Sequence, residues 1–368
     1  MCNICYTGEE VDTMSNEHNN HFIPRGRGTG SNPAHRFTQL DVEPDPEWRE
    51  GGISPGTCFY SDDAVDVISF NESPDVPFEA GLNPYRGCEH GCVYCYARPY
   101  HEYLDMSPGL DFETRIMVKK DAPERLRNQL MRKSWKPQTV SVSGATDPYQ
   151  PVERKLGLTR KCLQVLAEFR NPFTVVTKNY LVTRDCDVLE EMASRNAVRV
   201  MISLTSLNSG LTGVMEPRTS RPERRLRAIR ELAAAGISTG VLFAPVIPGL
   251  TDEELPALVA EAARAGATFG NFVLLRLPGA VVPLFDEWLE QHFPDRKKKI
   301  LNRLKSLRGG NLYDNRFGHR MKGEGAYADQ IRQSFQMACR KYGLGEEAPP
   351  LTTRHFRRVP SQGELDLW

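Results

Sequence analysis

The stretch Asn83-Pro-Tyr-Arg-Gly-Cys88-Glu-His-Gly-Cys92-Val-Tyr-Cys95-Tyr-Ala-Arg98 places three cysteines within eight residues. Glycines stand directly before two of these cysteines and let the backbone curl tightly. Three thiolates on one short loop can face a common point and bind three irons of a cubane cluster, while the fourth iron stays open to another ligand. Because that iron lacks a protein thiolate, we expect such a cluster to be sensitive to oxygen.

Two alternatives to a cluster stay open at this point. The three cysteines and His90 could supply the four ligands of a zinc site, although His90 stands only two residues from each neighbouring cysteine, which strains a tetrahedral arrangement. The cysteines could also be ordinary buried thiols. If the loop binds zinc, the protein would be a zinc-binding nucleic-acid or interaction module rather than an enzyme that uses an iron cluster.

Beyond the cysteine loop, short runs rich in valine and isoleucine alternate with helical stretches. Six strands are predicted, at residues 81–85, 139–143, 173–177, 198–204, 238–244 and 269–275. Capping residues mark the predicted helix starts at Asp121, Thr159, Asp185, Ser220 and Thr251, the last two as capping boxes with a glutamate three residues later. Six strands separated by helices imply a parallel sheet with right-handed crossovers, either an open doubly wound sheet or an incomplete barrel.

Polar clusters follow the predicted strands, where either architecture places its functional loops. These clusters are residues 88–95, 144–153, 178–180, 205–218 and 245–249. We therefore predict an α/β protein with a partial, TIM-like (β/α)6 barrel over residues 76–280. An N-terminal arm, partly irregular, precedes it at residues 1–75, and a C-terminal helical extension with a tail follows at residues 281–368.

The predicted arm is rich in Asn, Gly, Pro, Asp and Glu and has little apolar periodicity. Its stretch Pro24-Arg-Gly-Arg-Gly-Thr-Gly-Ser-Asn-Pro33 combines flexible backbone with two arginines. This composition is typical of a mobile or draped segment. The functional alternative is a segment that covers a site or contacts phosphate.

Length and composition limit the class of protein. The chain has 368 residues, of which 40% are hydrophobic and 26% charged, as in ordinary globular proteins. It has no apolar run long enough for a membrane span and no secretory-signal pattern, so we expect a cytoplasmic protein. Lys+Arg and Asp+Glu are both 47, so any basic surface must be local. Nine cysteines at irregular spacing argue against a disulfide framework.

The pattern Cys88-x-x-x-Cys92-x-Tyr94-Cys95 resembles the signature of the radical S-adenosylmethionine (radical SAM) superfamily. Within it, the chain looks most like the spore photoproduct lyase group, described broadly as DNA repair photolyase-like. The resemblance rests on residues 83–88, 95–98 and 146–153. It implies a [4Fe–4S] cluster, reductive cleavage of S-adenosylmethionine, hydrogen abstraction by the 5′-deoxyadenosyl radical, and a reductant such as flavodoxin or ferredoxin.

The resemblance also implies that residues after the strands bind S-adenosylmethionine. Tyr94 would contact adenine, and the Asp147 carboxylate would accept from the methionine amino group. Lys178 can pair with the methionine carboxylate, and Ser203 can bond ribose hydroxyls. The predicted cofactor-binding set is Tyr94, Ser143, Thr146, Asp147, Lys178, Ser203, Glu216 and Arg218, and the predicted metal ligands are Cys88, Cys92 and Cys95.

The chain departs from the spore photoproduct lyase pattern at the hydrogen donor. That lyase uses a cysteine just before the aspartate of the second-strand loop, where this chain has Ser143-Gly-Ala-Thr-Asp147. Tyrosines are the candidate donors here: Tyr96, Tyr100 and Tyr149. The substrate is therefore unknown, with DNA or RNA the leading hypothesis by resemblance. A degenerate barrel that binds S-adenosylmethionine without radical chemistry is a second alternative.

Local basic runs are more typical of solvated faces than of phosphate-binding surfaces. They comprise Arg221, Arg224, Arg225, Arg227 and Arg230, then Lys297, Lys298 and Lys299, then Arg354, His355, Arg357 and Arg358. The tail at residues 362–368 resembles peptides that bind bacterial sliding clamps, although docking on its own domain is the simpler hypothesis. Cys2 and Cys5 form a further C-x-x-C to which we assign no function.

Overall fold

The computed structural model describes residues 26–33, 36–37, 56–76 and 78–359. The pair Cys2 and Cys5 and the tail at residues 362–368 lie outside these residues. The strands are β1 (Cys58–Ser61), β2 (Ile68–Phe70), β3 (Ala80–Leu82), β4 (Tyr85–Arg86), β5 (Arg115–Val118), β6 (Val140–Val142), β7 (Phe173–Thr177), β8 (Val198–Ser203), β9 (Thr239–Val246) and β10 (Phe269–Leu274).

The α-helices lie mostly between the strands or follow the last one. They are α1 (Leu110–Thr114), α2 (Ala122–Met131), α3 (Glu153–Leu156), α4 (Leu158–Glu168), α5 (Cys186–Ala193), α6 (Ser209–Met215), α7 (Pro222–Ala234), α8 (Leu255–Arg264), α9 (Val281–His292), α10 (Pro294–Ser306) and α11 (Ala326–Tyr342). Three 3₁₀ helices cover Arg98–Leu104, Tyr180–Asp185 and Asp252–Glu254. None of the helices among these residues is long and apolar enough to cross a membrane.

The main sheet has the order β10-β9-β8-β7-β6-β3-β2. All neighbours pair in parallel except β2, which runs antiparallel to β3 at the edge. Alternate valines of β7 and β8 are fully buried in one core with α4, α5 and α7, as expected when helices cover a parallel sheet. The partial (β/α)6 barrel is therefore confirmed, with all six predicted strands present.

The predicted capping boxes are wrong, because other partners take their side chains. Helix α7 begins after Arg221, and the Ser220 hydroxyl instead accepts from the Tyr180 N–H at 2.8 Å, which ties two loops together. The Thr251 hydroxyl accepts from the Ile247 N–H at 2.9 Å and so closes a turn within its own loop.

Several elements were not predicted. The strands β1, β5 and β4 form a small separate sheet beside the cysteine loop, and β1 and β2 both lie inside the arm predicted to be partly irregular. A second apolar cluster joins Cys92, Val93 and Tyr94 to the inner face of α9. Its Trp288 donates a hydrogen bond from Nε1 to the Val214 carbonyl at 3.0 Å. The C-terminal extension thus supports the cysteine loop.

The segment at residues 309–325 links the two edges of the open sheet. On the β10 side, the Leu274 N–H donates to the Met321 carbonyl at 3.0 Å. Asp75, between β2 and β3, accepts from the Gly318 N–H at 2.6 Å and pairs with Arg320. This segment therefore spans the gap that the missing strands of a complete barrel would fill.

Candidate active site

The cysteine loop follows β4 and lies at the carboxyl end of the parallel strands. Backbone bonds fix it on both sides: the Cys88 N–H donates to the Phe112 carbonyl at 2.8 Å, and the Val93 N–H donates to the Met215 carbonyl at 3.1 Å. Gly91, with φ of +64°, takes a conformation that favours glycine. Cys88 and Cys92 are buried, and Cys95 is half-buried.

A fully buried guanidinium sets the shape of this loop. Arg98 donates through Nε and Nη2 to the Cys92 carbonyl, at 3.0 and 2.9 Å. The same side chain donates to the carbonyls of Pro108 and Gly109 and pairs with the buried carboxylate of Glu113. The sequence placed Arg98 in the family motif without a role, and the structure shows that it positions the loop backbone.

The two buried thiols of this loop have raised pKa values. Burial raises the pKa of Cys88 well above its ordinary value, and the nearby Asp147 carboxylate raises it further. Burial also raises the pKa of Cys92 to about 12, although Lys178 opposes this shift. Thiolates in such a place need a cation to stabilise them. Two buried thiols and one half-buried thiol on one tight loop therefore fit a cationic iron cluster, whose binding would release their protons.

The geometry gives no support to a zinc site completed by His90. Its Nδ1 lies 3.4 Å from a carboxylate oxygen of Asp147, and its Nε2 lies 3.2 Å from the side-chain nitrogen of Asn179. Both ring nitrogens thus face protein partners. Across the part of the chain that the structure describes, no three His, Cys, Asp or Glu side chains are grouped so as to hold one metal ion.

Asp147 lies at the junction of the cysteine loop and β7. Its carboxylate accepts from the Thr177 hydroxyl at 2.6 Å and from the Lys178 N–H at 2.8 Å, and it faces His90. Burial raises the pKa of Asp147, but the charge of His90 and these hydrogen bonds outweigh burial and lower it to about 2. The carboxylate is therefore ionised and held by protein groups.

A buried ion pair lies behind Tyr94. The Tyr94 hydroxyl donates to the Glu216 carboxylate, which also accepts from the Thr205 hydroxyl at 2.6 Å and pairs with Arg225. Arg225 is fully buried and donates to the Ser203 carbonyl at 3.1 Å. Burial raises the pKa of Glu216, but Arg225 and Lys178 outweigh it, so that this pKa is lowered.

This pair corrects one expectation from the sequence. Arg225 is not a surface arginine of α7 but the buried partner of Glu216, while its arginine neighbours on α7 are exposed. Only the helical period distinguishes Arg225 from those neighbours in the sequence. Arg218, a predicted cofactor-binding residue, pairs with Glu89 at 3.0 Å.

The remaining predicted cofactor residues lie on three strand ends. Lys178 follows β7, with its Nζ 5.9 Å from the Tyr94 ring centre; burial lowers its pKa, but Cys92 and Glu216 outweigh burial and raise it. Ser203 ends β8 and is buried. Thr146, after β6, donates to the Tyr85 carbonyl at 3.3 Å.

The second-strand loop, which begins at Ser143, is tied to the stretch before the cysteines. The Ser143 hydroxyl donates within the loop, to the Thr146 carbonyl at 3.4 Å. The Asn83 side chain accepts from the N–H groups of Ala145 and Thr146, at 3.0 and 3.3 Å. Asn83 belongs to the sequence motif, and its position explains why this loop and the cysteine loop are held together.

The candidate hydrogen donors occupy different environments. Tyr96 is exposed, and its hydroxyl donates to the Gly144 carbonyl of the second-strand loop at 2.5 Å. Tyr100 is also exposed, on the 3₁₀ helix that follows. Tyr149 is fully buried, and its hydroxyl donates to Asp185 at 3.0 Å. Tyr96 is thus accessible at the surface and Tyr149 is not, and the assignment of either as hydrogen donor stays a prediction.

Replacing Asp147 with asparagine is expected to destabilise the protein by about 2 kcal/mol near neutral pH, since the pKa falls from 3.8 to about 2 on folding. A lowered folded pKa contributes stability above the unfolded value and loses it as the pH falls towards about 2. The midpoints of thermal unfolding of wild type and Asp147→Asn should therefore converge as the pH is lowered from neutral to acid.

The matched control is Asp295→Asn, which changes an exposed aspartate in the first turn of α10. This variant should change the unfolding midpoint far less at every pH. A difference between wild type and Asp147→Asn that stays constant down to acid pH would show that the ionised carboxylate is not the stabilising group.

Taken together, the parallel strands and the loop of buried thiols at their carboxyl ends define a class of protein. It is a partial-barrel protein with a metallocofactor site at the mouth of the barrel. Charged side chains from β7, from the loop after β8 and from α7 converge behind that site.

Comparisons with known proteins identify the family. The model of the radical SAM superfamily matches residues 82–262. An uncharacterized protein of Mycobacterium tuberculosis is 35% identical over 295 residues, which cover 79% of this chain and 82% of that protein. The radical SAM Nα-GlyT isomerase of Pseudomonas phage M6 is 26% identical over 265 residues, covering 70% of this chain and 52% of that enzyme.

Solved structures agree on the fold. Spore photoproduct lyase complexed with dinucleoside spore photoproduct superposes with a TM-score of 0.58 and 18% identity, covering 78% of this chain and 81% of that chain. The chain therefore belongs to the radical SAM superfamily, and it is an enzyme that uses a [4Fe–4S] cluster and S-adenosylmethionine.

Proposed function

We propose that Cys88, Cys92 and Cys95 bind three irons of the cluster and leave the fourth for S-adenosylmethionine. The observation that carries this proposal is the loop itself, in which three buried or half-buried thiols share a backbone fixed by Arg98. When bound there, the reduced cluster would supply the electron for cleavage of S-adenosylmethionine into methionine and a 5′-deoxyadenosyl radical able to take a hydrogen atom from the substrate.

The chain's own charges suit this role. Lys178 lies beside the Tyr94 ring, and its positive charge partly offsets the effect of burial on the pKa of Cys92, which favours the thiolate. A lysine here can also pair with the methionine carboxylate. Glu216, which is itself paired with Arg225, accepts from the Tyr94 hydroxyl and so holds the ring between two cluster ligands, where it can contact adenine. Asp147 orients His90 and the start of the loop after β7.

The predicted methionine contacts divide into two groups. Lys178 and Tyr94 lie together beside Cys92, and these two residues are our leading cofactor contacts. Asp147, Arg218 and Glu216 have protein partners in this structure, so we propose that they act mainly by positioning the groups around the cluster. Ser143, Thr146 and Ser203 lie on strand ends at the same mouth, and their contacts to the cofactor stay predictions.

The proposed substrate class is nucleic acid. Spore photoproduct lyase, which shares the fold, is solved with a dinucleoside spore photoproduct. At the mouth of this chain, the Arg276 guanidinium lies 5.5 Å from the centre of the Tyr96 ring, and this ring is partly exposed. Arginine beside an exposed aromatic ring is a typical platform for unstacked bases. The reductant and the sliding-clamp contact stay predictions.

Anaerobic reconstitution of the full chain tests this function. We expect about four irons per chain and formation of 5′-deoxyadenosine after addition of dithionite and S-adenosylmethionine. With uniformly deuterated DNA or RNA present, mass spectrometry should find deuterium in the 5′-deoxyadenosine. Zinc in place of iron would contradict the whole proposal. Cofactor cleavage without deuterium from either polymer would contradict the nucleic-acid substrate alone.

Replacing Tyr96 with phenylalanine tests the hydrogen donor. If the Tyr96 hydroxyl returns hydrogen to the product, Tyr96→Phe should keep the cluster and the cleavage of S-adenosylmethionine while product formation falls about 10²-fold or more. Tyr149→Phe is the control, since its hydroxyl is buried against Asp185 and should affect stability rather than turnover. Equal product formation by Tyr96→Phe and wild type would exclude Tyr96.

A further inference from the structure

The residues at 26–33, which we call the N-terminal strap, lie directly against the cysteine loop. Arg27, Gly28 and Thr29 are buried, although their composition is typical of a mobile segment. The strap is therefore packed against the protein, whereas its composition alone predicts a mobile segment. It lies on the outer side of the loop that carries the three cysteines.

The tightest contact is between two glycines. A Cβ built on Gly28 would lie 1.6 Å from the Gly91 carbonyl oxygen and 3.1 Å from the Val93 nitrogen. Both of these atoms are backbone atoms of the cysteine loop, so they cannot swing away as a flexible side chain would. Only glycine at this position lets the strap approach the loop so closely.

A single buried carboxylate joins the strap to the cysteines. Glu113 accepts from the Gly28 N–H at 3.0 Å and from the Thr29 hydroxyl at 3.2 Å. The same carboxylate pairs with Arg98, which donates twice to the Cys92 carbonyl. Displacing the strap would thus remove two of the donors that satisfy Glu113 and loosen the group that shapes the loop.

Further bonds hold the strap at its far end. Asn32 and Asp111 exchange two hydrogen bonds, each of 3.0 Å. The Ser31 hydroxyl donates to Glu287 on α9 at 2.9 Å, and the Ser107 hydroxyl donates to the Pro33 carbonyl at 2.8 Å. The strap is therefore anchored to α1 and to the C-terminal extension, on both sides of the loop.

We infer that the strap positions the cysteine loop through Gly28 and Glu113 and thereby slows the release of iron from the cluster. This inference rests on the proposed function, because it takes Cys88, Cys92 and Cys95 as cluster ligands. The strap touches no reacting atom in this arrangement. It acts by keeping the loop that carries the ligands in its closed shape.

The experiment compares full-length wild type with Gly28→Ala after anaerobic reconstitution. An external ferrous-iron chelator reports the rate of iron release, and electron paramagnetic resonance of the reduced cluster reports its environment. We expect release about five- to thirtyfold faster in Gly28→Ala, the factor that corresponds to about 1 to 2 kcal/mol. We also expect a changed spectrum, which a loss of overall stability alone would not produce.

The matched control is Gly213→Ala, because a Cβ at Gly213 on α6 meets nothing within 4 Å. Asn32→Ala is the second variant: it removes the exposed anchor without crowding the loop, so it tests the strap even if Gly28→Ala fails to fold. Faster release in Asn32→Ala supports the inference. Release at the wild-type rate from a folded Gly28→Ala, or from Asn32→Ala when Gly28→Ala does not fold, overturns it.

A Cys92→Ala arm separates this inference from the proposed function. If Cys92→Ala loses the cluster while folded Gly28→Ala and Asn32→Ala hold it like wild type, the proposed function stands and the strap inference fails. If Cys92→Ala keeps about four irons, the cysteine assignment fails, and with it the strap's role.

Discussion

Replacing Cys92 with alanine is expected to abolish the cluster, from about four irons per reconstituted chain to nearly none. Cys92 is the middle thiol of the loop, and the Cys92 carbonyl is the one that Arg98 fixes. Two remaining thiols cannot hold three irons. Formation of 5′-deoxyadenosine should fall below detection in the same preparation, measured anaerobically with dithionite and S-adenosylmethionine.

The control for this change is Cys186→Ala. Cys186 is half-buried at the start of α5, on the helical layer outside the sheet. That variant should bind iron and cleave S-adenosylmethionine like wild type. Full iron content in Cys92→Ala, or equal iron loss in both variants, would show that the loop thiols are structural.

The fold was predictable because its signals are local. Most of the parallel strands contain short runs rich in β-branched residues, as in β6, β7 and β8, and the helices between them have their own period, so the order of elements follows from the sequence. The strand at 173–177 was predicted with its observed ends. The failures lie where local signals compete with tertiary partners, as at Ser220, whose hydroxyl bonds the Tyr180 N–H rather than capping α7.

The site was predictable only in part, for a different physical reason. The cysteines and Asn83 belong to one contiguous motif, so their proximity is guaranteed by the chain. Glu216 and Arg225 meet because the first turn of α7 directs the Arg225 guanidinium into the core. Five arginines occur close together in this stretch, and only the position of Arg225 in the helical period predicts that it is the buried one. The packing of the strap is harder still to predict, because its glycine-rich composition is typical of disorder.

Arg225 is the residue whose loss outside the cysteines should have the largest effect. It is fully buried and donates to the Ser203 carbonyl, the Thr205 and Thr219 hydroxyls and the Glu216 carboxylate. Removing it leaves Glu216 buried without its main partner. We expect Arg225→Ala to destabilise the protein by about 3 to 5 kcal/mol, the usual cost of breaking a buried ion pair.

The deficit of this variant should shrink as the pH falls, in the same direction as the deficit of Asp147→Asn. Arg225 is the largest of the effects that lower the Glu216 pKa, so we expect the folded pKa of Glu216 to be higher in Arg225→Ala than in wild type. As the pH falls, wild type loses the stability that its lowered Glu216 pKa contributes, and the variant loses less, so the deficit of Arg225→Ala should shrink towards about pH 4. Thermal unfolding of the apoprotein from neutral pH to about pH 4 measures this deficit in stability. Arg224→Ala, an exposed neighbour on α7, should show little deficit at any pH.

A double variant separates structure from positioning. In Arg225→Met with Glu216→Leu, no buried charge is left unpaired, so much of the stability lost in Arg225→Ala should return. The Tyr94 hydroxyl, however, loses its acceptor, and its ring is no longer held between the cysteines. We therefore expect the double variant to bind S-adenosylmethionine more weakly than wild type does. Equilibrium binding to the reconstituted protein measures this affinity. Wild-type affinity together with restored stability would mean that the pair only supports the fold, and that Tyr94 is positioned by its cysteine neighbours alone.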